Sequence, residues 1–326
     1  MTLPHNLSKD NAALEVLRNW SGDIIASQIH QTWGDRVVLE ARTSQFPTGI
    51  VLKSSAEKDV RVEAYAARCA RNAGVPVPEI LAEGRDDRLP GQDWFVMRKA
   101  EGQPWESLVQ SDSQRSKTLD DIGHMFASLH ETEMSNYGPL TAESGGQYRS
   151  WSGWLRAELE TSSEPLIREG HLPAHFIDSV DEVMRCLAPH LENVRPSLLH
   201  GDLGDREVFV DAASGAVTAI VDWGDALAGD SLYDFARFVA GGPADDERPA
   251  LYLPGVIESY MRKVSADLVA CRGRVLNFYE MHNAVRNASW SFQEEPSWIE
   301  GLCTRAMSIV TGDQLVPEQT DSLLHC

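Results

Sequence analysis

The chain has 326 residues, of which 29 are lysine or arginine and 49 are aspartate or glutamate, so its formal net charge is −20 at pH 7. This length suits one large domain or two smaller ones that share a cleft, and a hydrophobic fraction of 42% excludes collagen-like and disordered chains. The acidic balance argues against a nucleic-acid partner, because binding to phosphates needs a surface rich in lysine and arginine.

The first hundred residues have the pattern of a small antiparallel sheet with helices beside it. The apolar runs are short and are separated by turn residues, which is typical of a meander, and Gly74 is well suited to end a helix. In chain order we expect a helix around residues 14–20, strands at 24–29, 36–43 and 49–53, a helix over 54–72, and strands near 79–81 and 93–98.

After residue 99 the pattern changes to long amphipathic segments, with one short hairpin whose turn falls at residues 213–215. The expected elements are helices at 104–133, 149–169, 174–190 and 273–293, and hairpin strands at 208–210 and 217–221. We therefore predict two lobes, a sheet-rich nucleotide-binding lobe over residues 1–99 and a helical lobe over residues 100–326.

The most informative segment, residues 198–236, places acidic residues on both sides of that hairpin. An H-G-D motif ends at Asp202 before the hairpin, and a D-W-G-D motif begins at Asp222 directly after it. The turn between the strands can bring both acids into one site. One carboxylate can then orient or deprotonate a hydroxyl group while the other holds Mg²⁺ that bridges nucleotide phosphates. Phosphoryl transfer needs this arrangement, since positioning and charge neutralisation supply most of its catalysis.

These motifs, followed by G-D-x-x-Y-D, resemble the catalytic and metal-binding loops of the aminoglycoside phosphotransferase family, relatives of the protein kinases. The resemblance implies a protein-kinase-like α+β fold, with a five-stranded antiparallel sheet in the N-terminal lobe, a mainly helical C-terminal lobe, and the active site between them. It also implies that Asp202 is the catalytic aspartate and Asp222 a Mg²⁺ ligand. Shorter patches at residues 136–139 and 146–151 are similar to the hygromycin B phosphotransferase branch.

The resemblance extends to the nucleotide site. Lys53 resembles the lysine that binds the nucleotide phosphates, and Glu63 stands where its ion-pair partner is expected. Residues 95–98 resemble the hinge, so backbone groups around Val96 and Arg98 are expected to pair with the purine of ATP or GTP. The loop that covers the nucleotide is expected at residues 30–35, although this segment has a single glycine in place of a glycine array.

Glu207 departs from the family pattern, which has asparagine at this position as a second Mg²⁺ ligand. A carboxylate is a good hard-oxygen ligand, so metal binding by Asp222 and Glu207 remains the expectation. The glutamate is one methylene longer than the asparagine and adds a negative charge near the phosphates. A relative that binds nucleotide without catalysis, a pseudokinase, is therefore kept as an alternative.

Other polar residues of this segment have structural as well as functional interpretations. We expect Asp230 and Asp234 to bond backbone amides and to cap the following helix, as short acidic side chains do at helix starts. His200 is expected to be a buried hydrogen-bonding residue that shapes the loop, with the role of base left to Asp202. For Asp225 the residues leave two interpretations open, a helix cap or a contact to the acceptor.

The expected helix at 273–293 carries a further candidate for the acceptor pocket, which this helix borders in relatives. Asn283, Asn287 and Trp290 fall on nearly one of its faces. Packing of Trp290 in the core is the first interpretation, and lining of the acceptor pocket by Asn287 and Trp290 is the second.

The acid excess lies entirely in the second part of the chain. Residues 1–100 hold 13 basic and 13 acidic residues, whereas residues 101–326 hold 16 basic and 36 acidic ones. The neutral first part suits an anionic donor, and the acidic second part suits a cationic acceptor, although a generally acidic surface would give the same count.

The combined expectation is nucleoside-triphosphate-dependent O-phosphorylation of a small hydroxylated molecule. An aminoglycoside-like antibiotic, whose phosphorylation would confer resistance, is the first acceptor class. Nucleoside antibiotics, macrolides and metabolite alcohols are the alternatives. A protein kinase is disfavoured, because no A-P-E segment follows Asp222 and protein substrates need a docking platform.

Cysteine usage and hydropathy set the expected compartment. The five cysteines form no C-x-x-C pair, which is typical of reduced thiols and supports neither a disulfide framework nor a zinc site. The N-terminus lacks the apolar core of a signal peptide, and no run approaches the roughly 18 apolar residues of a membrane span. We therefore expect a cytoplasmic protein with no membrane partner.

Overall fold

A five-stranded sheet and a set of helices form the two lobes of this protein. The computed structural model describes four stretches of the chain, residues 4–30, 35–239, 248–264 and 272–312. The sheet strands are β1 Ala26–His30, β2 Arg36–Arg42, β3 Ile50–Ser55, β4 Ile80–Arg85 and β5 Asp93–Arg98. Their order is β1-β2-β3-β5-β4, and every neighbouring pair is antiparallel. The expected α+β class and the expected five-stranded sheet are both confirmed.

One face of this sheet packs on an apolar core of its own. In β2 the side chains of Val37, Leu39 and Ala41 are buried, and their neighbours along the strand are half-buried, as the period of two requires. Helix α1 (Pro4–Ser21) covers this face and buries Leu17 in the same core. The predicted meander of the first three strands is therefore correct.

The helix expected over residues 54–72 begins later than predicted. Ser54 still pairs with β2 as part of strand β3, and helix α2 spans Val60–Asn72. Its N-cap is Asp59, whose carboxylate accepts the backbone N–H of Arg61 at 3.0 Å. The chain between β3 and α2 is thus a short loop, residues 56–59.

In the described part of the C-terminal lobe, seven further α-helices follow. They are α3 Asp112–His130, α4 Trp151–Arg168, α5 Phe176–Leu191, α6 Leu232–Val239, α7 Arg248–Met261, α8 Arg272–Glu294 and α9 Ile299–Thr311. Helices α4, α5 and α8 match the expected ones, α6 is the helix expected after Asp230, and α7 and α9 were not predicted. The helix expected from residue 104 was wrong at its start, because Ser111 and Gln114 form a capping box that begins α3.

Short strands bring the loops of the C-terminal lobe together. They are β6 Gln103–Pro104, β7 Tyr137–Leu140, β8 Gly146–Tyr148, β9 Ser197–Leu199, β10 Val208–Val210, β11 Val217–Ile220 and β12 Leu227–Gly229. The predicted hairpin of β10 and β11 is present, and β12 pairs with β9. The loop between β9 and β10 therefore lies beside the loop between β11 and β12, and these loops carry the H-G-D and D-W-G-D motifs.

The larger apolar core reaches from the C-terminal lobe into α2. Ala66, Ala67 and Ala70 of that helix belong to the same cluster as Trp223 and Phe126. Helix α2 is therefore packed against the lobe that holds the two motif loops, and the division at residue 99 stays a prediction. In the part of the chain that the structure describes, no helix is both long enough and apolar enough to cross a membrane.

Candidate active site

His200 shapes the loop after β9. Its ring is fully buried, and its Nδ1 accepts the backbone N–H of Asp202 at 3.3 Å. The other ring nitrogen, Nε2, lies 3.0 Å from the carbonyl oxygen of Val221, so the neutral ring with its proton on Nε2 satisfies both contacts. The ring also packs against Trp223 at 4.6 Å between centroids. His200 thus ties the H-G-D loop to the end of β11, as expected for a structural residue.

Asp234 on α6 holds the backbone of the same loop. Its buried carboxylate accepts the N–H groups of His200 at 3.0 Å and Gly201 at 2.8 Å, and it lies 3.1 Å from Nε2 of His130. Gly201 has a φ of +79°, and a Cβ there would lie 2.2 Å from the carbonyl oxygen of Asp225. Only glycine fits this close approach of the two motif loops.

Asp230 begins the helix that carries Asp234. One carboxylate oxygen accepts the backbone N–H of Leu232 at 3.0 Å, which is the expected capping contact. The other oxygen lies 2.5 Å from Nε2 of His190 and accepts the hydroxyl of Tyr279 at 2.7 Å. The hydrogen bond to Asp230 raises the pKa of His190. Helix α6 is therefore fixed at its start by contacts to two other helices.

Asp202 projects from the loop with a partner that the sequence analysis did not identify. Its side chain is 39% exposed, and its Oδ1 accepts Nε of Arg237 at 2.6 Å, with Nη2 of the same guanidinium at 2.5 Å. Arg237 is 19% exposed and stands three residues after Asp234 on α6. This spacing on one helix face is the signal that could have identified it.

Lys53 joins the two lobes at the cleft. Its Nζ donates to Glu63 of α2 at 2.8 Å and to Asp222 at 2.7 Å. Burial works to lower the pKa of Lys53, but the charges of Glu63 and Asp222 outweigh it and raise the pKa above its usual value. The charge of Lys53 in turn holds the pKa of Asp222 well below its usual range. Lys53 thus contacts both of the residues that were predicted with it from separate motifs.

The backbone of Asp222 is left-handed, with φ 61° and ψ 60°. A non-glycine residue in this conformation is uncommon and is found at turns and functional sites. Here it is the residue at which the chain leaves β11 and turns its carboxylate towards Lys53.

Glu207 lies close to both acidic residues of the motifs. Its Oε2 accepts the backbone N–H of Gly204 at 2.9 Å. Burial and the charges of Asp202 and Asp222 raise its pKa to about 8, and the charge of Arg237 works in the opposite direction. A divalent cation would relieve the effect of burial and of the two neighbouring carboxylates on Glu207, so Asp222 and Glu207 fit Mg²⁺.

Two carboxylates are the protein ligands that the described residues offer to Mg²⁺ here. Within the described ranges no group of three or more histidine, cysteine, aspartate or glutamate side chains has the arrangement of a metal centre. Mg²⁺ usually binds one or two carboxylates together with water and substrate phosphates, so two carboxylates suffice.

The pairing of β5 excludes Val96 and the amide of Arg98 from the predicted hinge contacts, whereas a contact through the carbonyl of Arg98 stays a prediction. Val96 lies opposite Leu52 on one side and Ala82 on the other, in the middle of the sheet. The backbone N–H of Arg98 donates to the carbonyl of Glu79 at 2.9 Å. The backbone of Val96 is therefore occupied by strand pairing and the amide of Arg98 by Glu79. A backbone donor for a purine is expected further along, where the chain leaves the sheet after Lys99.

Asp225 forms an ion pair instead of capping a helix. Its carboxylate contacts Nζ of Lys58, from the loop before α2. Burial opposes its ionisation, but the charges of Lys58 and Arg286 lower its pKa. Arg286 is itself bonded, 3.3 Å from Glu158 and 3.2 Å from the hydroxyl of Tyr233. Neither Lys58 nor Arg286 lies in a recognisable motif, and the sequence analysis missed both.

The structure gives different surroundings to the residues of α8 that were candidates for the acceptor pocket. Asn283 is buried and donates to the carbonyl of Tyr279 at 3.0 Å. Trp290 is 42% exposed and lies 6.4 Å from the ring of Trp298, so the interpretation of Trp290 as a core residue is wrong. Contact of Asn287 and Trp290 with an acceptor stays a prediction. The expected nucleotide-covering loop, residues 30–35, falls largely outside the described residues.

Comparison with known families and proteins supports the chemistry of this site. A family model described as the phosphotransferase enzyme family matches residues 32–264. Hygromycin-B 4-O-kinase from Escherichia coli is 25% identical over 205 residues, which are 61% of this chain and 58% of that protein. Acyl-CoA dehydrogenase family member 11 from Gallus gallus is 24% identical over 238 residues, which are 72% of this chain and 29% of that protein. The chain thus spans less than two thirds of either relative.

Solved structures show the same fold over nearly the whole chain. The crystal structure of aminoglycoside phosphotransferase APH(4)-Ia has a TM-score of 0.70 at 19% identity and covers 94% of this chain and 99% of its own. A thermostable mutant of that enzyme in a ternary complex with AMP-PNP and hygromycin B has a TM-score of 0.69 at 20% identity, with 92% and 98% covered. Choline kinase LicA from Streptococcus pneumoniae has a TM-score of 0.64 at 14% identity, with 93% and 99% covered.

Proposed function

This chain belongs to the phosphotransferase enzyme family, and from that premise we propose that it transfers the terminal phosphoryl group of ATP or GTP to a hydroxyl group of a small molecule. The contact between Lys53 and Asp222, 169 positions apart in the chain, carries the proposal. It joins strand β3, which would bind the donor phosphates, to the loop that follows the hairpin of β10 and β11. Glu63 orients the lysine from the third element, helix α2.

Each residue would have its own role in an in-line displacement. Lys53 would bind the donor phosphates, and Asp222 and Glu207 would hold Mg²⁺, which when bound neutralises the charge on those phosphates. Asp202 would orient the acceptor hydroxyl with its second carboxylate oxygen. As the hydroxyl oxygen bonds to the γ-phosphorus, the bond to the leaving nucleoside diphosphate breaks and the hydroxyl proton passes to Asp202.

The purine would be held by backbone beyond strand β5. The amide N–H of Lys99 donates to the carbonyl of Gly49 at 3.0 Å, so Ala100 is the first residue of this segment past the strand contacts. We place the donor for the base at Ala100, two residues after Arg98.

For the acceptor we propose an aminoglycoside-like antibiotic, with resistance as the consequence. The similarity to Hygromycin-B 4-O-kinase and the 36 acidic against 16 basic residues after position 100 support a hydroxylated, cationic molecule. The fold shared with choline kinase LicA supports a metabolite alcohol as the second candidate.

The proposal is tested by incubating the purified protein with Mg²⁺, ATP or GTP, and a panel of acceptors. The panel contains aminoglycosides, nucleoside antibiotics, macrolides, choline and homoserine, and mass spectrometry reads each acceptor. We expect one acceptor to gain the mass of a single phosphoryl group. Nucleotide binding without any such gain would overturn the proposal and favour the pseudokinase.

A further inference from the structure

A further lysine–aspartate pair joins the same two segments of the chain as the pair in the proposed donor site. Lys53 of β3 donates to Asp222, and Lys58, from the loop after that strand, contacts the carboxylate of Asp225. The two lysines are five positions apart in the sequence, and the two aspartates are three positions apart. The two segments are therefore tied to each other at both of their ends.

The loop that carries Lys58 is fixed on both sides of this residue. The hydroxyl of Ser55, the last residue of β3, accepts the backbone N–H groups of Glu57 at 3.1 Å and Lys58 at 3.2 Å. Asp59, the next residue, caps helix α2, and Glu63 lies in the first turn of that helix. The position of Lys58 is therefore coupled to the start of α2 and to Glu63.

The segment that carries Asp225 is held on both sides of Asp222, whose backbone is left-handed with φ 61°. A non-glycine residue keeps this conformation only where the surrounding structure holds it. Before Asp222, the backbone N–H of Val221 donates to the carbonyl of Glu207 at 3.0 Å. After it, the carboxylate of Asp225 is bonded to Lys58. The ion pair of Lys58 is thus one of the contacts that hold this turn.

Gly224 shows how close the second pair lies to the first. A Cβ at this residue would lie 3.4 Å from Cδ of Lys58, 3.5 Å from Oε2 of Glu63 and 3.6 Å from Oδ1 of Asp222. The stem of Lys58 therefore lies beside the two carboxylates that bond Lys53.

We propose that Lys58 and Asp225 are a positioning pair that fixes Lys53 in the donor site. Their ion pair holds the loop of Asp222 against the start of α2, where Glu63 lies. Both carboxylates then keep Lys53 in one place, and an ammonium group that is already ordered loses less freedom when it binds phosphates. The inference rests on the proposed phosphoryl transfer, in which Lys53 binds the donor.

A double-mutant cycle tests whether Lys58 acts through Asp225. The wild type, Lys58→Met, Asp225→Asn and the double variant are titrated calorimetrically with ATP and with GTP in the presence of Mg²⁺. We expect Lys58→Met to raise the Kd of the nucleotide by about tenfold, because Lys53 must then be ordered on binding. In the Asp225→Asn background the same substitution should change Kd by less than about twofold, because the pair is already broken. Lys58→Arg keeps the charge and should stay within about threefold of the wild type.

The urea midpoint of unfolding separates this role from a merely structural one. The side chains of Lys58 and Asp225 are 37% and 27% exposed, so their ion pair should contribute little to global stability. We expect the midpoint of Lys58→Met to stay close to that of the wild type while Kd rises. Lys117→Met is the matched control, because it removes a partly exposed lysine that pairs with Asp121 on α3, and it should change neither quantity. A lower midpoint with an unchanged Kd would show a merely structural pair.

Hydrogen exchange read by mass spectrometry tests the pair without a ligand. Peptides that cover residues 56–66 and 221–226 should exchange faster in Lys58→Met and in Asp225→Asn than in the wild type, whereas peptides of α9 should not change. Equal exchange in all three proteins would overturn the proposal. If neither nucleotide binds the wild type, the proposed function fails, and this measurement decides whether the pair holds the two segments.

Two further results would also overturn the positioning role. An equal rise of Kd in both backgrounds would show that Lys58 acts on the donor directly and not through Asp225. A fall in the KM of the acceptor found in the panel, in Lys58→Met, would show that Lys58 competes with the acceptor for Asp225.

Discussion

Replacement of Asp234 by asparagine removes one negative charge at the point where α6 holds the H-G-D loop. The buried carboxylate bonds the backbone N–H groups of His200 and Gly201 and lies against His130. Asparagine has nearly the same shape, but it can accept with only one of its two terminal atoms. Its NH₂ group must therefore face one of the donors that the carboxylate now satisfies.

The cost follows from these contacts. One buried backbone N–H left without an acceptor costs about 1–3 kcal/mol, and the remaining bonds weaken by about 1 kcal/mol because the acceptor is no longer charged. We expect Asp234→Asn to lower the free energy of unfolding by about 2–4 kcal/mol. The loop that carries Asp202 should also lose its fixed position, so kcat should fall by about tenfold or more.

Urea unfolding followed by circular dichroism measures the free energy of unfolding, and the rate of phosphoryl transfer measures kcat. Asp112→Asn is the matched control, because that side chain is 96% exposed and pairs only at the surface with Arg115. An unfolding midpoint of Asp234→Asn equal to those of the wild type and the control would show that the carboxylate does not hold the loop. The assignment of α6 as its support would then be wrong.

Three other substitutions have expected outcomes. Lys53→Met should weaken nucleotide binding by at least about tenfold in isothermal titration, and unchanged affinity would remove the lysine from the donor site. The hydrogen bond to Asp230 raises the pKa of His190, so the pair stabilises the fold below the ordinary histidine pKa of about 6.5, and this stability is lost as pH rises through the raised pKa. The urea midpoint of unfolding should therefore fall with rising pH above about 6.5 in the wild type and fall less in His190→Gln. Gly229→Ala would place a Cβ 2.1 Å from the ring of Trp151, so we expect the free energy of unfolding to fall by about 1–3 kcal/mol. A melting temperature equal to that of the wild type would contradict this close packing.

Four residues of the candidate site could be predicted, because each lies in a short motif that indicates its chemistry. Asp202 and Asp222 flank a hairpin, and Lys53 and Glu63 lie on consecutive elements, so each set stands in a short segment that resembles a segment of the aminoglycoside phosphotransferase family. The structure then shows Lys53 in contact with Glu63 and Asp222.

The partners of these residues could not be predicted in the same way. Lys58, Arg237 and Arg286 come from a loop and two helices that have no motif of their own, and their contacts depend on how the helices pack. Val96 was wrongly expected to contact the purine for a related reason. Strand pairing consumes the backbone groups of Val96, and a single strand's side chains do not show which neighbours it will have on each side.

The predicted boundaries of the elements were wrong where helix capping and strand pairing determine them. The helix expected from residue 54 starts six residues later, because Ser54 completes β3 and Asp59 provides the cap. The strands β9 and β12 have three residues each, too few for a periodic pattern, yet their pairing places the two motif loops side by side.

The most direct test of phosphoryl transfer at this site compares the wild type with Asp202→Asn in the presence of Mg²⁺, the donor nucleotide and the acceptor found in the panel. The variant removes the carboxylate that we propose receives the hydroxyl proton, and it leaves the contacts of Lys53 in place. We expect turnover to fall by at least about 100-fold while nucleotide affinity stays within about threefold. Turnover equal to that of the wild type would contradict the assignment of Asp202 and, with it, the mechanism.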